Sequence, residues 1–312
     1  MIKHHGLFLI YNGDMKRLLI SVIILVMLTG CGDKLEGYPK VESSKEKQTS
    51  RDDILYPEAS AIKVKEDNIV LIDYSNTNHG YIMVKTKTTD HKRLKIRIGL
   101  GDDEYTYDIP RDDEYISYPL TFSDGVYHIK VYENINDNNY ALNFSFDMNV
   151  KLDNEYDPYL YPSIIVDYNL HTKAIDKSFE ICDGLKTDID RVYAVYKWIV
   201  KNIKYDYDKV EEVTNKYVLP ILDETLDLKK GICFDYAALM TCMLRVQMIP
   251  VKVVTGYVEE GYHAWVEVYI EDIGWINPDI YFDSKDYTMI DPTYDAMGGA
   301  DYNGMYEDLY KY

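Results

Sequence analysis

The chain has 312 residues, 46% hydrophobic and 28% charged, with a formal net charge of −19. That length suits about two folded units of roughly 100 to 200 residues each, and the acidity argues against a nucleic-acid partner, whose phosphates need a basic face. Residues 1–30 carry +2 (Lys3, Lys16 and Arg17 against Asp14), which leaves −21 on the remainder and disfavours adhesion to anionic lipid.

The first element in chain order is "MKRLLISVIILVMLTGCGDK", with a basic start at Lys16 and Arg17, an apolar run from Leu18 to Leu28 and small residues before Cys31. The run is short for a membrane span, and the pattern predicts a secretion signal. "LTGC" resembles a bacterial lipobox, which implies cleavage before Cys31 and a lipid on its side chain. The expectation is therefore a lipid-anchored protein on the extracytoplasmic face of a bacterial membrane. Residues 1–14 read as an upstream extension of the reading frame, so that 1–30 comprises extension and signal peptide. Residues 31–53 are polar and poor in large apolar side chains, and are expected to be a disordered tether.

Residues 54–155 alternate with period two in several places. Leu94, Ile96, Ile98 and Leu100 are expected on one strand face, and Leu142, Phe144, Phe146, Met148 and Val150 on another. Turn signals at Ser123-Asp124-Gly125 and Asn136 to Asn139 separate the runs, so an all-β sandwich is predicted. The 32 tyrosines suit such strand surfaces. His79, His91 and His128 are scattered and read as surface or strand histidines.

After Asp157-Pro158 the pattern changes, and residues 156–312 are read as an α+β domain. Val192, Val195, Tyr196, Ile199 and Ile203 fall at helical spacing, with Asp188 as the expected N-cap. "GICFDYAALMTCMLR" predicts a buried helix with Cys233 in its first turn. The strands "VKVVTGYV" and "YHAWVEVYI" follow, the second with His263, Trp265, Glu267 and Tyr269 on one face and Ala264, Val266, Val268 and Ile270 on the other.

Cys233 is the chemically informative residue. Donor groups and the positive dipole end at a helix N-terminus favour a thiolate and can hold a developing oxyanion. A thiolate nucleophile needs a base, and His263 is the one histidine after Cys233. A carboxylate to orient it is supplied by "IDPTYD", with Asp291 held before a proline, so Cys233, His263 and Asp291 can form an acyl-transfer triad. Of the other cysteines, Cys182 and Cys242 could pair, but the preferred reading is two buried free thiols. A zinc site of Cys233, Cys242 and His263 fails on geometry, because nine residues at about 100° each put Cys242 on the opposite side of the helix. Asp206-Asp208 and Asp183-Asp188 match no calcium loop and read as solvated faces, so no metal and no cofactor is expected.

"GICFDYAALMTCMLR", "HAWVEVYI" and "IDPT" together resemble the core motifs of the transglutaminase-like superfamily, a branch of the papain-like fold, across roughly residues 185–295. The resemblance implies Cys233 as nucleophile, His263 as general base and acid, and Asp291 as orienting carboxylate. Spacing from an aromatic residue leaves Asp279 as a competitor of Asp291, and the "DPT" context favours Asp291. An extra hairpin is expected between His263 and Asp291. Two functions follow: a surface-anchored cysteine protease, amidase or transglutaminase acting on a peptide, protein or cell-wall amide, with hydrolysis slightly favoured, or a catalytically silent papain-like module that binds such a ligand.

Overall fold

The computed structural model describes residues 46–88, 92–111, 113–213, 218–258, 261–278 and 307–312. Cys31, His91, Asp279 and Asp291, and with them the leader, most of the expected hairpin and the third triad member, lie outside the described residues. Among the described residues no helix is long and apolar enough to cross a membrane.

Alternating side chains in residues 64–150 give two four-stranded antiparallel sheets. The first has the order β1 (Val64–Glu66), β2 (Val70–Asp73), β3 (Tyr81–Thr86), β6 (Ile116–Pro119). The second runs β5 (Asp103–Ile109), β4 (Leu94–Leu100), β7 (Gly125–Asn136), β8 (Asn139–Val150). Ile96 pairs with Tyr107 and Val131, and Ile98 with Ile129, so cross-strand partners reinforce one buried face. Val70, Ile72, Ile82, Val84 and Tyr118 of the first sheet belong to the same apolar cluster as these residues.

One predicted face needs correction. Phe144, Phe146, Met148 and Val150 pack on the core, but Leu142 is 53% exposed. The ladder slips between Val131 and Tyr132, so that Val131 pairs with Phe144 while Tyr132 pairs with Leu142. A bulge that spends one extra residue reverses the facing of everything beyond it.

The polar stretch assigned to a tether is docked in its last eight residues. Lys47 N–H donates to Lys186 O, Lys47 Nζ to Met248 O, and Arg191 Nη2 to Lys47 O. Arg51 reaches Asp176 at 2.6 Å. Backbone groups of a polar segment can thus be held by partners that its own composition does not reveal.

Residues 173–245 supply α1 (Lys173–Cys182), α2 (Asp188–Asn202), α3 (Tyr207–Val213), α4 (Leu222–Leu228) and α5 (Cys233–Arg245). The predicted stripe of α2 is buried, but its N-cap is Thr187, whose hydroxyl accepts from Asp190 N–H; Asp188 sits one residue inside and pairs with Arg191. A four-stranded antiparallel sheet completes this half, in the order β13 (Gly274–Ile276), β12 (Gly261–Ile270), β11 (Val251–Val258), β14 (Glu307–Lys311). Ala264, Val266, Val268 and Ile270 of β12 join the core with α5, as their alternation predicts.

The helix α5 is buried almost throughout, from Tyr236 to Arg245. At its C-terminal end Arg245, 2% exposed, donates to Val251 O, Tyr161 O and Tyr312 O. Burial pulls its pKa down to about 10. Buried residues on both sides of residue 156 belong to one apolar cluster, and all the described residues fall within one unit, Glu42–Tyr312.

Candidate active site

The turn before Cys233 is fixed by backbone pairing. Lys230 and Gly231 form a two-residue parallel bridge, β10, with β9 (Lys204–Tyr205), and Asp206 N–H donates to Gly231 O. Ile232 is extended at the helix cap, and Asp235 in the first turn of α5 reaches back to accept its N–H at 2.9 Å. The other oxygen of Asp235 meets Lys209 Nζ of α3 at 2.8 Å, although the carboxylate is only 1% exposed. A Cβ at position 231 would stand 2.7 Å from Asp235 Cβ, so only glycine lets the carboxylate fold back this closely.

These contacts leave Cys233 as a half-buried free thiol at the start of a 13-residue helix. Opposite it, His263 lies on β12, paired with Gly256 of β11 and 7% exposed. Its ring lies nearly parallel to Trp265, with centroids 6.3 Å apart, so the predicted shared face of the strand is observed. Cys233 and His263 line one cavity of about 280 Å³, together with Val210 and Val213 of α3, Thr255 and Tyr262. Burial, followed by nearby tyrosines and Cys233, raises the pKa of the Tyr262 phenol, which stays neutral at physiological pH.

The other two described cysteines are chemically different. Cys182 and Cys242 are buried free thiols, as preferred from sequence. Burial pushes Cys182 up to about 11 and Cys242 higher still.

Residues 176–280, about a third of the chain, match the family model of the transglutaminase-like superfamily. The chain carries a transglutaminase-like domain. Within it lie Cys233, His263 and the whole of α5 and β12. Two curated proteins are similar over shorter stretches. One, from Methanocaldococcus jannaschii and labelled UPF0252, is 41% identical over 56 residues, which cover 16% of this chain and 15% of that protein. The other, the kyphoscoliosis peptidase of Mus musculus, is 32% identical over 97 residues, covering 27% and 14% respectively. The matched stretch is thus about a seventh of either relative's length. Among solved structures, one provisionally described as a cysteine protease from Cytophaga hutchinsonii has 15% identity and a TM-score of 0.35, covering 73% of this chain and 92% of that one. Red sea bream transglutaminase has 15% identity and a TM-score of 0.29, covering 73% and 56%.

The transglutaminase-like domain contains two supporting residues that sequence reading passed over, Asp235 and Lys209. Asp235 could have been found from its place two residues after Cys233 in the first turn, where a carboxylate complements helix donors. Lys209 carries no such signal, since its role depends on α3 packing beside the start of α5.

Proposed function

We propose that the protein is a cysteine acyl-transfer enzyme in which Cys233 attacks a peptide or carboxamide carbonyl, with His263 as general base and then general acid. The observation that supports this most strongly is the shared cavity of Cys233, at the start of α5, and His263, on β12. His263 takes the thiol proton, the sulfur adds to the carbonyl carbon, and first-turn donors of α5, which lack acceptors within the helix, steady the oxyanion. Collapse of the adduct releases the amine, protonated by His263, and leaves a thioester. Water, slightly favoured over an amine because it is abundant, then takes the acyl group. Asp291 is the proposed carboxylate that holds the His263 tautomer, with Asp279 as its competitor. The substrate is a protein, peptide or cell-wall amide. The protein acts from the extracytoplasmic membrane face through a lipidated Cys31, with residues 54–155 as a β-sandwich beside the catalytic domain.

Turnover of a panel of peptides, carboxamides and wall fragments tests the reading, with Cys233→Ala, Asp291→Asn and Asp279→Asn measured in parallel. Hydrolysis or transfer that Cys233→Ala abolishes is expected, with Asp291→Asn lowering kcat by about 10² to 10⁴. A large loss in Asp279→Asn with near-normal Asp291→Asn would reassign the orienting group. Cys233-independent binding without turnover would replace the enzyme by a silent binding module. Cys31→Ala is expected to release the protein or leave its signal uncleaved, and normal processing with membrane retention would overturn the anchor.

A further inference from the structure

A second cavity, of about 450 Å³, is lined by residues from 121–124 and 152–159 together with Lys252 of β11 and Trp275 of β13. Trp275 of β13 forms an aromatic wall with Tyr159, edge-on at 5.2 Å, and Tyr156, which itself stacks on Tyr269 at 4.0 Å. Lys252 holds its ammonium 3.5 Å from the Trp275 ring centroid and pairs with Glu267 at 3.7 Å. Asp124 and Glu155 bring carboxylates to the rim, and the buried hydroxyl of Thr121 has no hydrogen-bond partner.

The charges restrict what can enter. A cation meets Lys252, already seated over the indole, and an anion meets Asp124 and Glu155. A neutral ligand remains, and it must offer an apolar face to the rings and many donors and acceptors at its edge. A proline-rich peptide supplies the face but only one carbonyl acceptor per residue. A pyranose supplies both, with axial C–H groups on one face and hydroxyls around its perimeter. A volume of this size is within the range of small-ligand pockets and accommodates one or two sugar rings. We propose that this cavity is a glycan-binding site for a neutral hexose or N-acetylhexosamine, packed against Tyr156 and Trp275 and hydrogen-bonded through Glu155, Asp124 and Lys252.

Titration of the whole protein with N,N′-diacetylchitobiose and with cellobiose, followed by saturation-transfer NMR and tryptophan fluorescence, tests the binding site. Saturable binding is expected, with ring C–H protons receiving the strongest saturation. Trp275→Ala and the surface variant Glu155→Ala are each expected to weaken it by about tenfold or more, with Trp275→Phe retaining part of it. Glu155→Ala guards against a folding defect in the tryptophan variant, because its side chain is exposed. Cys233→Ala is expected to bind the sugars normally, so the glycan site and the catalytic proposal fail separately. No saturable binding of either disaccharide, binding indifferent to both Trp275→Ala and Glu155→Ala, or Trp275-dependent capture of a decaproline peptide in place of sugar would overturn the proposal.

Discussion

The two ends of α5 carry one cysteine each, nine residues apart, and their surroundings differ in every respect that governs chemistry. At the N-terminal end Cys233 opens on a cavity shared with His263, and the backbone there is held by charges, Asp235 on Ile232 N–H and on Lys209. At the C-terminal end Cys242 is fully buried and its neighbour Arg245 donates to the backbone oxygens of Tyr161, Val251 and Tyr312. A helix thus presents a reactive group at the end where backbone donors and solvent meet, and uses its other end to join distant chain segments. The buried thiol is packing, because a low-dielectric site disfavours the anion that reactivity needs.

The largest expected effect separates the two thiols directly. Cys233→Ser should lower turnover of any identified substrate by about 10³ or more, while Cys242→Ser should leave kcat nearly unchanged and cost about 1–3 kcal/mol of stability through an unpaired buried hydroxyl. Equal losses of kcat in both variants would erase the distinction. Next, Arg245→Met takes the guanidinium donor from the buried Tyr161 and Val251 carbonyls, while Tyr312 O keeps Val253 N–H, and is expected to cost about 3 kcal/mol, read as a lower midpoint in urea unfolding. A cost below about 0.5 kcal/mol would show that the cation is not what joins Tyr161, Val251 and Tyr312.

Alkylation by iodoacetamide at pH 8 should modify Cys233 and spare the other two. A thiol pushed up to about 11 has on the order of 10⁻³ of its population as thiolate at that pH, and Cys242 has less. The Cys182 rate should rise about tenfold per pH unit until the pH approaches 11, because its pKa is raised and only deprotonation creates the nucleophile. Mass spectrometry that finds Cys182 or Cys242 labelled first in the folded protein would contradict the burial of this helix and its neighbour. The smallest effect concerns Lys209→Met, which removes a half-screened ion pair and is expected to cost about 1 kcal/mol while lowering kcat more than it changes KM. A change confined to KM would place Lys209 in substrate binding and not in holding the turn before Cys233.

Much of the α+β half could be read from sequence because its signals are local. The period-3.6 stripe of α2, the period-2 alternation of β11 and β12, and a cysteine opening an apolar helix are all properties of consecutive residues. The strand partners Gly256 and His263 follow from two adjacent strands joined by a short connection. Leu142 was misplaced because a bulge leaves no mark in the alternation itself; the strand still looks regular while its register has slipped. β14 was not anticipated, since its pairing with β11 joins residues about 50 apart and its tyrosines could equally face solvent.

By itself the sequence determined which residues could do chemistry, Cys233 and His263, because nucleophile and base chemistry belongs to side-chain type and to the helix and strand that carry them. It also determined the folded, acidic character of the chain. Only the tertiary structure decided which distant residues meet, Lys209 with Asp235 beside Cys233 and Tyr156 with Trp275 in the second cavity, because their separation in sequence carries no distance information. Burial decided in the same way that Cys242 is inert, since a thiol's proton affinity depends on the dielectric around it and not on the residues beside it in the chain.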